Sequence, residues 1–576
     1  MTQERVAVPL RIEDLGVRYP GRRESSLQAV SVSVAAGERV GVAGRTGAGK
    51  STLALAAAGF IPRVVRGKLD GHVAIDGIDT AAAAPGELLG RVGIVFATPA
   101  NQLSASKLSV REELAFGLEN LGVPRSEMDA RIDATLARLA IGHLADREPF
   151  ALSGGEQQRV AIASIVAMGT GVLVLDEPTA QLDPAGTDSV ADLLDELARD
   201  GASILCVEHD PAVLGRMDRC LVLDDGRVAA SGIPGVALAE AADTVGLALP
   251  TLVRLAVAAG IDLANAFDEE AIADGLRARG GEVERSGIAP AAEPPRVAST
   301  WAPPRERAPV RVAIEDLVHR YPTGIEAVRG VSLSIEPGES VAILGQNGSG
   351  KTTLVKHLDG LLRPAEGRVL LDGEPTEGRT IADLAGTVGF VFQNPDEQLF
   401  ERSVEREVAF GPRNLGIAAG EIGSLVASSL AAVGLTEERE TNPYDLDLSR
   451  RKLVALAGVL AMNPAVLVLD EPTTGQDADG VAQVGAVIDA MRAAGRSVIA
   501  ITHDMEFAAT RFDRIVVMRE GTIIADGTPA VVFAPSNREL LASTGLTPPP
   551  AARVAALMHL AVVPLDAAGL LVAVRT

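Results

Sequence analysis

The stretch GRTGAGKS, from Gly44 to Ser51, follows the short apolar run Val40–Ala43 and decides the fold. Glycines closed by a lysine and a hydroxyl residue form a phosphate-binding loop (P-loop), because a chain without Cβ atoms lets backbone N–H groups approach a phosphate closely. The helix that begins at Lys50 directs the positive end of its dipole at the same anion. The sequence therefore predicts a nucleoside triphosphate site at the end of a strand.

The chain contains this arrangement twice. A second loop, GQNGSGKT, follows 301 residues later. A pair of acids after an apolar strand, and a histidine further along the chain, both repeat at a spacing of 294 residues. The repeated landmarks are the loop Gly345–Thr352, the acids Asp176, Glu177, Asp470 and Glu471, and the histidines His209 and His503. Short apolar runs that alternate with helical patterns predict an α/β fold with two P-loop domains, each built on a largely parallel sheet.

Composition excludes several classes of protein. The chain has 576 residues and a net charge of −23, which argues against a nucleic-acid binder that needs a basic surface. Its 47% hydrophobic and 22% charged residues are typical of globular proteins, and two cysteines exclude a disulfide scaffold. The first residues lack the apolar core of a signal peptide. We expect an acidic, soluble, intracellular protein.

Shifts in composition predict five segments. A first nucleotide-binding domain covers residues 1–245, and a helical extension covers 246–288. Residues 289–309 are rich in proline and alanine and predict an extended linker. A second nucleotide-binding domain covers 310–545, and a second helical extension covers 546–576.

The chemistry of a triphosphate assigns a role to each landmark. The lysines would contact the terminal phosphates, the hydroxyls and aspartates would hold Mg²⁺, and the glutamates would polarise the attacking water, with a histidine at each strand end. Tyr19 and Tyr321 either stack on the adenine or only pack. The predicted ATP-binding loop residues are Gly44, Arg45, Thr46, Gly47, Ala48, Gly49, Lys50, Ser51, Thr52, Gly345, Gln346, Asn347, Gly348, Ser349, Gly350, Lys351, Thr352 and Thr353. The predicted metal ligands are Ser51, Asp176, Thr352, Gln393 and Asp470, and the predicted catalytic residues are Glu471, His503, Gln393, Glu177 and His209.

The octapeptide LSGGEQQR, from Leu152 to Arg159, lies shortly before the first acid pair. With it, both halves resemble the ATP-binding cassette (ABC) ATPases, which use ATP and Mg²⁺. In that family two cassettes pair head to tail, and each ATP lies between one P-loop and the signature of the other cassette. The resemblance implies that Ser153, Gly154, Gly155 and Gln157 contact the nucleotide held by the second P-loop.

The two predicted sites are unequal. In one alignment, Asp447 and Leu448 of LDLSRRKL occupy the positions of Ser153 and Gly154. An alignment shifted by two residues matches Leu448-Ser449 to the leucine and serine of the signature instead. Neither alignment restores the glycine pair. Gln393 matches the family's Q-loop glutamine, which reaches the metal and the water, whereas the first half has Ala97 there. Both departures fall on the site of the first P-loop. We therefore predict one hydrolytic and one degenerate site. The basic residues 450–452 either retain some affinity for an anion there or form a solvated turn.

The segment FQNPDEQLF, from Phe392 to Phe400, is similar to the Q-loop of energy-coupling factor (ECF) ATPases. This resemblance implies import of a vitamin or a transition-metal ion. It also implies a peripheral location at the cytoplasmic face of the cell membrane, with a transmembrane scaffold subunit and a substrate-binding membrane protein as partners. The expected contacts with these partners lie near Phe96–Gln102 and Phe392–Gln398. The alternatives are a ribosome-associated tandem ABC translation factor and the ATPase of a sugar ABC importer.

Overall fold

A computed structural model describes residues 8–84, 86–279 and 309–575. The chain divides into two compact units, one ending at Asp268 and the other beginning at Glu269. The predicted linker, apart from Pro309, and residues 280–288 of the first predicted extension lie outside the described residues. No helix in the described part of the chain has the length and apolar character needed to cross a bilayer.

The first unit alternates strands and helices. Its strands are β1 (Leu10–Arg18), β2 (Leu27–Val34), β3 (Arg39–Gly44), β4 (Lys68–Ile75), β5 (Ile78–Asp79), β6 (Val92–Val95), β7 (Val172–Asp176), β8 (Ser203–Val207), β9 (Arg219–Asp224) and β10 (Arg227–Gly232). Its helices are α1 (Lys50–Ala57), α2 (Val110–Asn120), α3 (Arg125–Arg138), α4 (Gly154–Met168), α5 (Pro184–Arg199), α6 (Pro211–Leu214), α7 (Pro234–Val245) and α8 (Thr251–Ala259).

The second unit begins with a helix and then repeats this order. Its strands are β11 (Val312–Arg320), β12 (Glu326–Ile335), β13 (Ser340–Leu344), β14 (Glu366–Leu371), β15 (Glu374–Pro375), β16 (Val388–Val391), β17 (Val466–Asp470), β18 (Ser497–Ile501), β19 (Arg514–Arg519) and β20 (Thr522–Gly527). Its helices are α9 (Glu269–Arg279), α10 (Lys351–Val355), α11 (Ile381–Ala385), α12 (Val404–Asn414), α13 (Ala419–Ala432), α14 (Leu448–Ala461), α15 (Ala478–Ala493), α16 (Met505–Arg511), α17 (Pro529–Val532), α18 (Arg538–Ala542), α19 (Pro550–Leu557) and α20 (Ala567–Arg575).

Each unit contains a mainly parallel six-stranded sheet and an antiparallel four-stranded sheet. The larger sheets have the orders β10-β9-β3-β8-β7-β6 and β16-β17-β18-β13-β19-β20, and only β10 and β20 pair antiparallel. Every residue of β7, β8, β17 and β18 is buried, as expected for strands covered on both faces. The predicted α/β fold is confirmed in both halves.

The helical extension that follows the first nucleotide-binding core is shared between the units. Helix α8 lies in the first unit, whereas α9 packs against α19 in the second. The guanidinium of Arg553 forms an ion pair with Glu269 at 2.6 Å, and Arg277 donates a hydrogen bond to the backbone carbonyl of Leu557. These contacts make α9 part of the second unit.

Packing around β17 generates a stability prediction. Leu467 lies at 0% exposure in the core cluster shared by β17 and α14. We expect Leu467→Ala to lower the free energy of unfolding of the second unit by about 2–5 kcal/mol, because it removes apolar contacts and leaves a cavity. Leu108→Ala, at a leucine with 78% exposure, is the matched control. Thermal melting of the full chain measures both, and equal melting temperatures would contradict the assignment of Leu467 to the core.

Candidate functional site

The glycine that precedes the lysine of each P-loop has a backbone conformation that other residues rarely adopt. Gly49 and Gly350 have φ angles of 98° and 99°. A Cβ atom at Gly350 would lie 2.2 Å from the carbonyl oxygen of Ala327, and one at Gly49 would lie 2.5 Å from that of Ser26. The loops therefore keep their shape only with glycine at these positions.

The P-loop lysines are buried and oriented by their own loops. The ammonium of Lys50 donates hydrogen bonds to the carbonyls of Gly44 and Arg45, both at 2.9 Å. Lys351 donates to Gly345 at 2.7 Å and to Gln346 at 2.8 Å. Each charge is thus fixed beside a helix N-terminus, an arrangement suited to an anion.

A hydroxyl and a carboxylate meet beside each loop. Ser51 Oγ lies 3.2 Å from Asp176 Oδ1, and Thr352 Oγ1 lies 3.4 Å from Asp470 Oδ1. Burial, together with the charge of the neighbouring glutamate, raises the pKa of each aspartate to about 6. Oxygen ligands of this kind fit Mg²⁺, which also reduces the cost of burying a carboxylate.

The predicted general bases are paired with the predicted histidines. His209 Nε2 lies 3.2 Å from Glu177, and His503 Nε2 lies 3.0 Å from Glu471. Both glutamates have a φ of 51°, a strained left-handed conformation for a residue with a side chain. Burial alone would raise the pKa of Glu471, but the charge and hydrogen bond of His503 hold it below its usual value. Glu471 is therefore kept ionised, as a general base must be.

A cavity in the second unit is lined by many of the predicted residues of that half, although Gly345, Gln346, Ser349 and His503 are not part of its lining. It brings the Q-loop glutamine to the same space as the P-loop and the two acids. Its lining is formed by Tyr321, Ile325, Ala327, Asn347, Gly348, Gly350, Lys351, Thr352, Thr353, Gln393, Asp470, Glu471 and Ile501. A glycine cradle, an ammonium group and paired carboxylates in one cavity fit a nucleotide with its Mg²⁺.

The first unit has no counterpart of the glutamine Gln393 at the equivalent position of its loop. Ala97 and Gln393 each lie two residues beyond the last residue of β6 or β16. The glutamines five residues later play the same part in both units, since Gln102 and Gln398 accept hydrogen bonds from the backbone N–H groups of Phe96 and Phe392. The two loops are therefore in register, and the amide of Gln393 has no counterpart at Ala97.

The two tyrosines that could stack on the adenine lie within hydrogen-bond distance of threonines on the P-loop helices. The hydroxyl of Tyr19 lies 3.2 Å from Thr52 Oγ1, and that of Tyr321 lies 2.9 Å from Thr353 Oγ1. Tyr321 also lines the nucleotide cavity and is backed edge-on by the ring of His319, with 4.7 Å between ring centroids.

The structure selects one of the two alignments of the signature. Ser153 is the N-cap of α4, and Asp447 is the N-cap of α14, where its carboxylate accepts a hydrogen bond from the backbone N–H of Arg450 at 2.9 Å. Asp447 and Leu448 are thus the structural counterparts of Ser153 and Gly154, and the register shifted by two is wrong. At the start of α4, Gln157 Nε2 donates to the carbonyl of Leu152 at 3.3 Å.

The basic residues 450–452 bind groups of their own unit. Arg450 pairs with Glu438 at 2.6 Å, and Arg451 pairs with Asp396 at 2.5 Å. Lys452 is buried and donates to two backbone carbonyls. These residues lie in α14 and not in a turn, and only Arg450, with a half-exposed side chain, is solvated as the second alternative expected. Each of the three cations has a partner in its own unit.

The two halves have different residues both at the start of the signature helix (α4 or α14) and in the turn that follows the acid pair. A Cβ atom at Gly154 would lie 2.3 Å from Oε1 of Gln181, so the amide end of Gln181 would have to move to accommodate a leucine there. In the second unit the counterpart of Gln181 is Gly475, which leaves room for Leu448. This exchange of Gln181 for Gly475 was not predicted from the sequence, although it is visible in AQLD against TGQD.

A second difference between the halves, which was not predicted from the sequence, lies next to the histidines His209 and His503. Glu208 is buried, and its carboxylate accepts backbone hydrogen bonds from Thr179, His209 and Asp210 at 3.1, 2.8 and 3.1 Å. Burial, with the charge of Asp210, raises the pKa of Glu208 to about 7. The second half has Thr502 instead, and the backbone N–H of His503 donates to Glu471 at 3.3 Å. The backbone N–H of His209 thus donates to Glu208 and that of His503 to Glu471, and the exchange of Glu208 for Thr502 is visible in VEHD against ITHD.

Comparisons with known proteins agree with this geometry. The family model for ABC transporters matches residues 27–180 and 328–474. These two ranges contain both P-loops and both acid pairs, and the chain belongs to the ABC transporter ATP-binding family as a tandem ABC ATPase. Members of this family bind ATP and hydrolyse it to drive transport, which makes this chain an ATPase subunit of a transporter.

Relatives of similar length share this organisation. A protein of Methanosarcina acetivorans is 39% identical over 95% of this chain and 90% of its own length. A protein of Streptomyces coelicolor is 36% identical over 92% of this chain and 95% of its own length. Both names include the words ABC transporter ATP-binding protein. The solved structure of cbiO1 from Clostridium perfringens, described as part of the ABC transporter complex cbiONQ, is 36% identical and covers 41% of this chain and 98% of that chain, with a TM-score of 0.37.

The exchange at the helix start predicts a compensating double variant. Gly154→Leu should lower the melting temperature of the first unit by a small amount, because the amide end of Gln181 must move away from the new side chain. Adding Gln181→Gly should recover most of that loss, since it recreates the pair Leu448 and Gly475. Calorimetry of the wild type, both single variants and the double variant measures the coupling. Additive losses in the double variant would contradict direct packing between these positions.

Proposed function

We propose that this ATPase works with one hydrolytic and one degenerate nucleotide site. The hydrolytic site combines the P-loop of the second half with the signature Ser153–Gly155 of the first. The degenerate site combines the P-loop of the first half with the segment from Asp447 to Lys452. The observation that carries the proposal is the cavity of the second unit, in which Gln393, Glu471 and Lys351 meet.

In the hydrolytic site Glu471 acts as general base on the attacking water. Its pairing with His503 keeps the carboxylate ionised and oriented, and Lys351 holds the terminal phosphates. Thr352, Asp470 and Gln393 would hold Mg²⁺, which would supply charge stabilisation for the phosphoryl group. The N-terminal N–H groups of α4 at Ser153 close the site around the nucleotide.

The degenerate site mainly holds ATP. Ala97 offers no polar group to a metal or a water, Asp447 places a negative charge where the signature serine would stand, and Leu448 obstructs the backbone approach. Glu177 and His209 remain within hydrogen-bond distance of each other, so slow turnover persists.

An exposed aromatic patch supports a membrane scaffold as the partner of the second half. Phe400, Phe410 and Tyr444 have exposures of 55%, 41% and 51%. The rings of Phe400 and Phe410 meet edge-on with 4.5 Å between centroids, and the hydroxyl of Tyr444 donates to the carbonyl of Leu399. This aromatic patch adjoins the ECF-like segment Phe392–Phe400. We assign the complex to ECF-type import of a vitamin or transition-metal ion, with the chain peripheral at the cytoplasmic face of the membrane and a separate substrate-binding membrane protein.

The unequal sites predict unequal effects of two matched substitutions. Glu471→Gln should lower the ATPase rate by roughly 10²-fold or more, because it removes the general base of the hydrolytic site. Glu177→Gln, its control in the first half, should change the rate far less. Steady-state phosphate release by the purified full chain measures both, and equal losses would contradict the assignment.

The aromatic patch predicts a separable loss of assembly. Phe400→Ser with Phe410→Ser should abolish co-purification with a multi-helix membrane protein in mild detergent, because the substitutions remove the apolar contact surface. ATP binding should be unchanged, since neither residue lines the cavity. Val572→Ser, at an exposed valine of α20, is the control. Retained co-purification, or ribosomes in place of a membrane protein, would contradict the proposed partner.

A further inference from the structure

Lys452 lies deep in the second unit, on the helix that replaces a signature helix. Only 7% of the residue is exposed. Its ammonium donates hydrogen bonds to the backbone carbonyl of Glu471 at 3.1 Å and to that of Thr474 at 2.8 Å. A buried ammonium that binds both ends of the turn 471–474 fixes that turn relative to α14, because charged donors form the stronger hydrogen bonds.

The first half lacks this connection. Gln158 occupies the position of Lys452 on α4 and has 0% exposure. Neither polar atom of its amide has a hydrogen-bond partner among the described residues. A buried cation at this helix position is therefore specific to the unit whose cavity contains Gln393, Glu471 and Lys351.

Two further contacts join the same helix to the same turn. Ser449 Oγ donates to Oε1 of Gln476, and Gln476 Nε2 donates to the carbonyl of Ser449 at 3.2 Å. Leu448 occupies the space beside Gly475. The glycines that would let a nucleotide approach α14 are thus replaced by side chains that bind the turn after Glu471.

From these contacts we infer that the start of α14 is a positioning element for Glu471 of its own unit, and that Lys452 is its principal residue. The inference rests on the proposed role of Glu471 as general base. Glu471 and Glu177 share a left-handed φ of 51°, so this backbone conformation does not itself depend on the lysine. The N–H of Glu471 donates to the carbonyl of Ile501 at 2.9 Å, and Lys452 adds a hydrogen bond to the carbonyl of Glu471 that fixes the turn on α14.

Lys452→Gln, which installs the residue of the first half, tests the inference. We expect kcat for ATP hydrolysis to fall roughly 10-fold with KM changed less than about 2-fold, because positioning acts on the chemical step and not on nucleotide binding. Lys452→Arg, which keeps the charge and the donors and carries less risk to folding, should retain a kcat close to that of the wild type.

The controls separate this inference from the proposed function. Arg492→Gln removes one charge of an ion pair with Asp513 in the same unit and should leave kcat and KM unchanged. An unchanged kcat in Lys452→Gln, a KM that rises as much as kcat falls, or a kcat lowered as far in Lys452→Arg would overturn the positioning role. A full ATPase rate in Glu471→Gln would instead overturn the proposed function itself.

Discussion

Parallel pairing of three neighbouring strands determines where the chemistry of each unit can occur. Strand β3 pairs with β8 and β8 with β7, and the same holds for β13, β18 and β17. Because parallel strands all end at one edge of the sheet, the P-loop, the acid pair and the histidine meet there. The hydroxyl–aspartate and histidine–glutamate contacts then join the three strand ends. The fold thus builds two similar half-sites, and side chains added to this frame make them differ.

The differences between the halves lie in connected pairs. Leu448 is accommodated because Gly475 replaces a glutamine, and Ser449 finds Gln476 across the same gap. Since packing in a protein interior leaves few voids, a change at one of these positions favours a change at the other. The start of α14 is therefore a packed and hydrogen-bonded structure, in which the residues that replace Gly154 and Gly155 contact the turn after Glu471.

Much of this molecule could be predicted from its sequence. The P-loops, the acid pairs and the strands before them were predictable because phosphate binding and burial on both faces of a sheet each restrict the residue types allowed. The replacement of the Q-loop glutamine by Ala97 was predictable because Pro99 and Gln102 fix the alignment of this loop with the second half. Contacts between distant segments were not predictable. The register at Asp447 needed the helix caps, and the partners of Lys452 needed the spatial placement of a turn 19 residues away.

The inequality of the two sites is tested most directly by the nucleotide that each half holds during turnover. A photoreactive ATP analogue labelled on its α-phosphate would be cross-linked to the full chain at steady state, and the labelled peptides would be identified by mass spectrometry. Peptides from residues 310–545 should carry mainly the diphosphate, and peptides from residues 1–245 should carry mainly the triphosphate. The same proportion of diphosphate on both sets of peptides would contradict the division into a hydrolytic and a degenerate site.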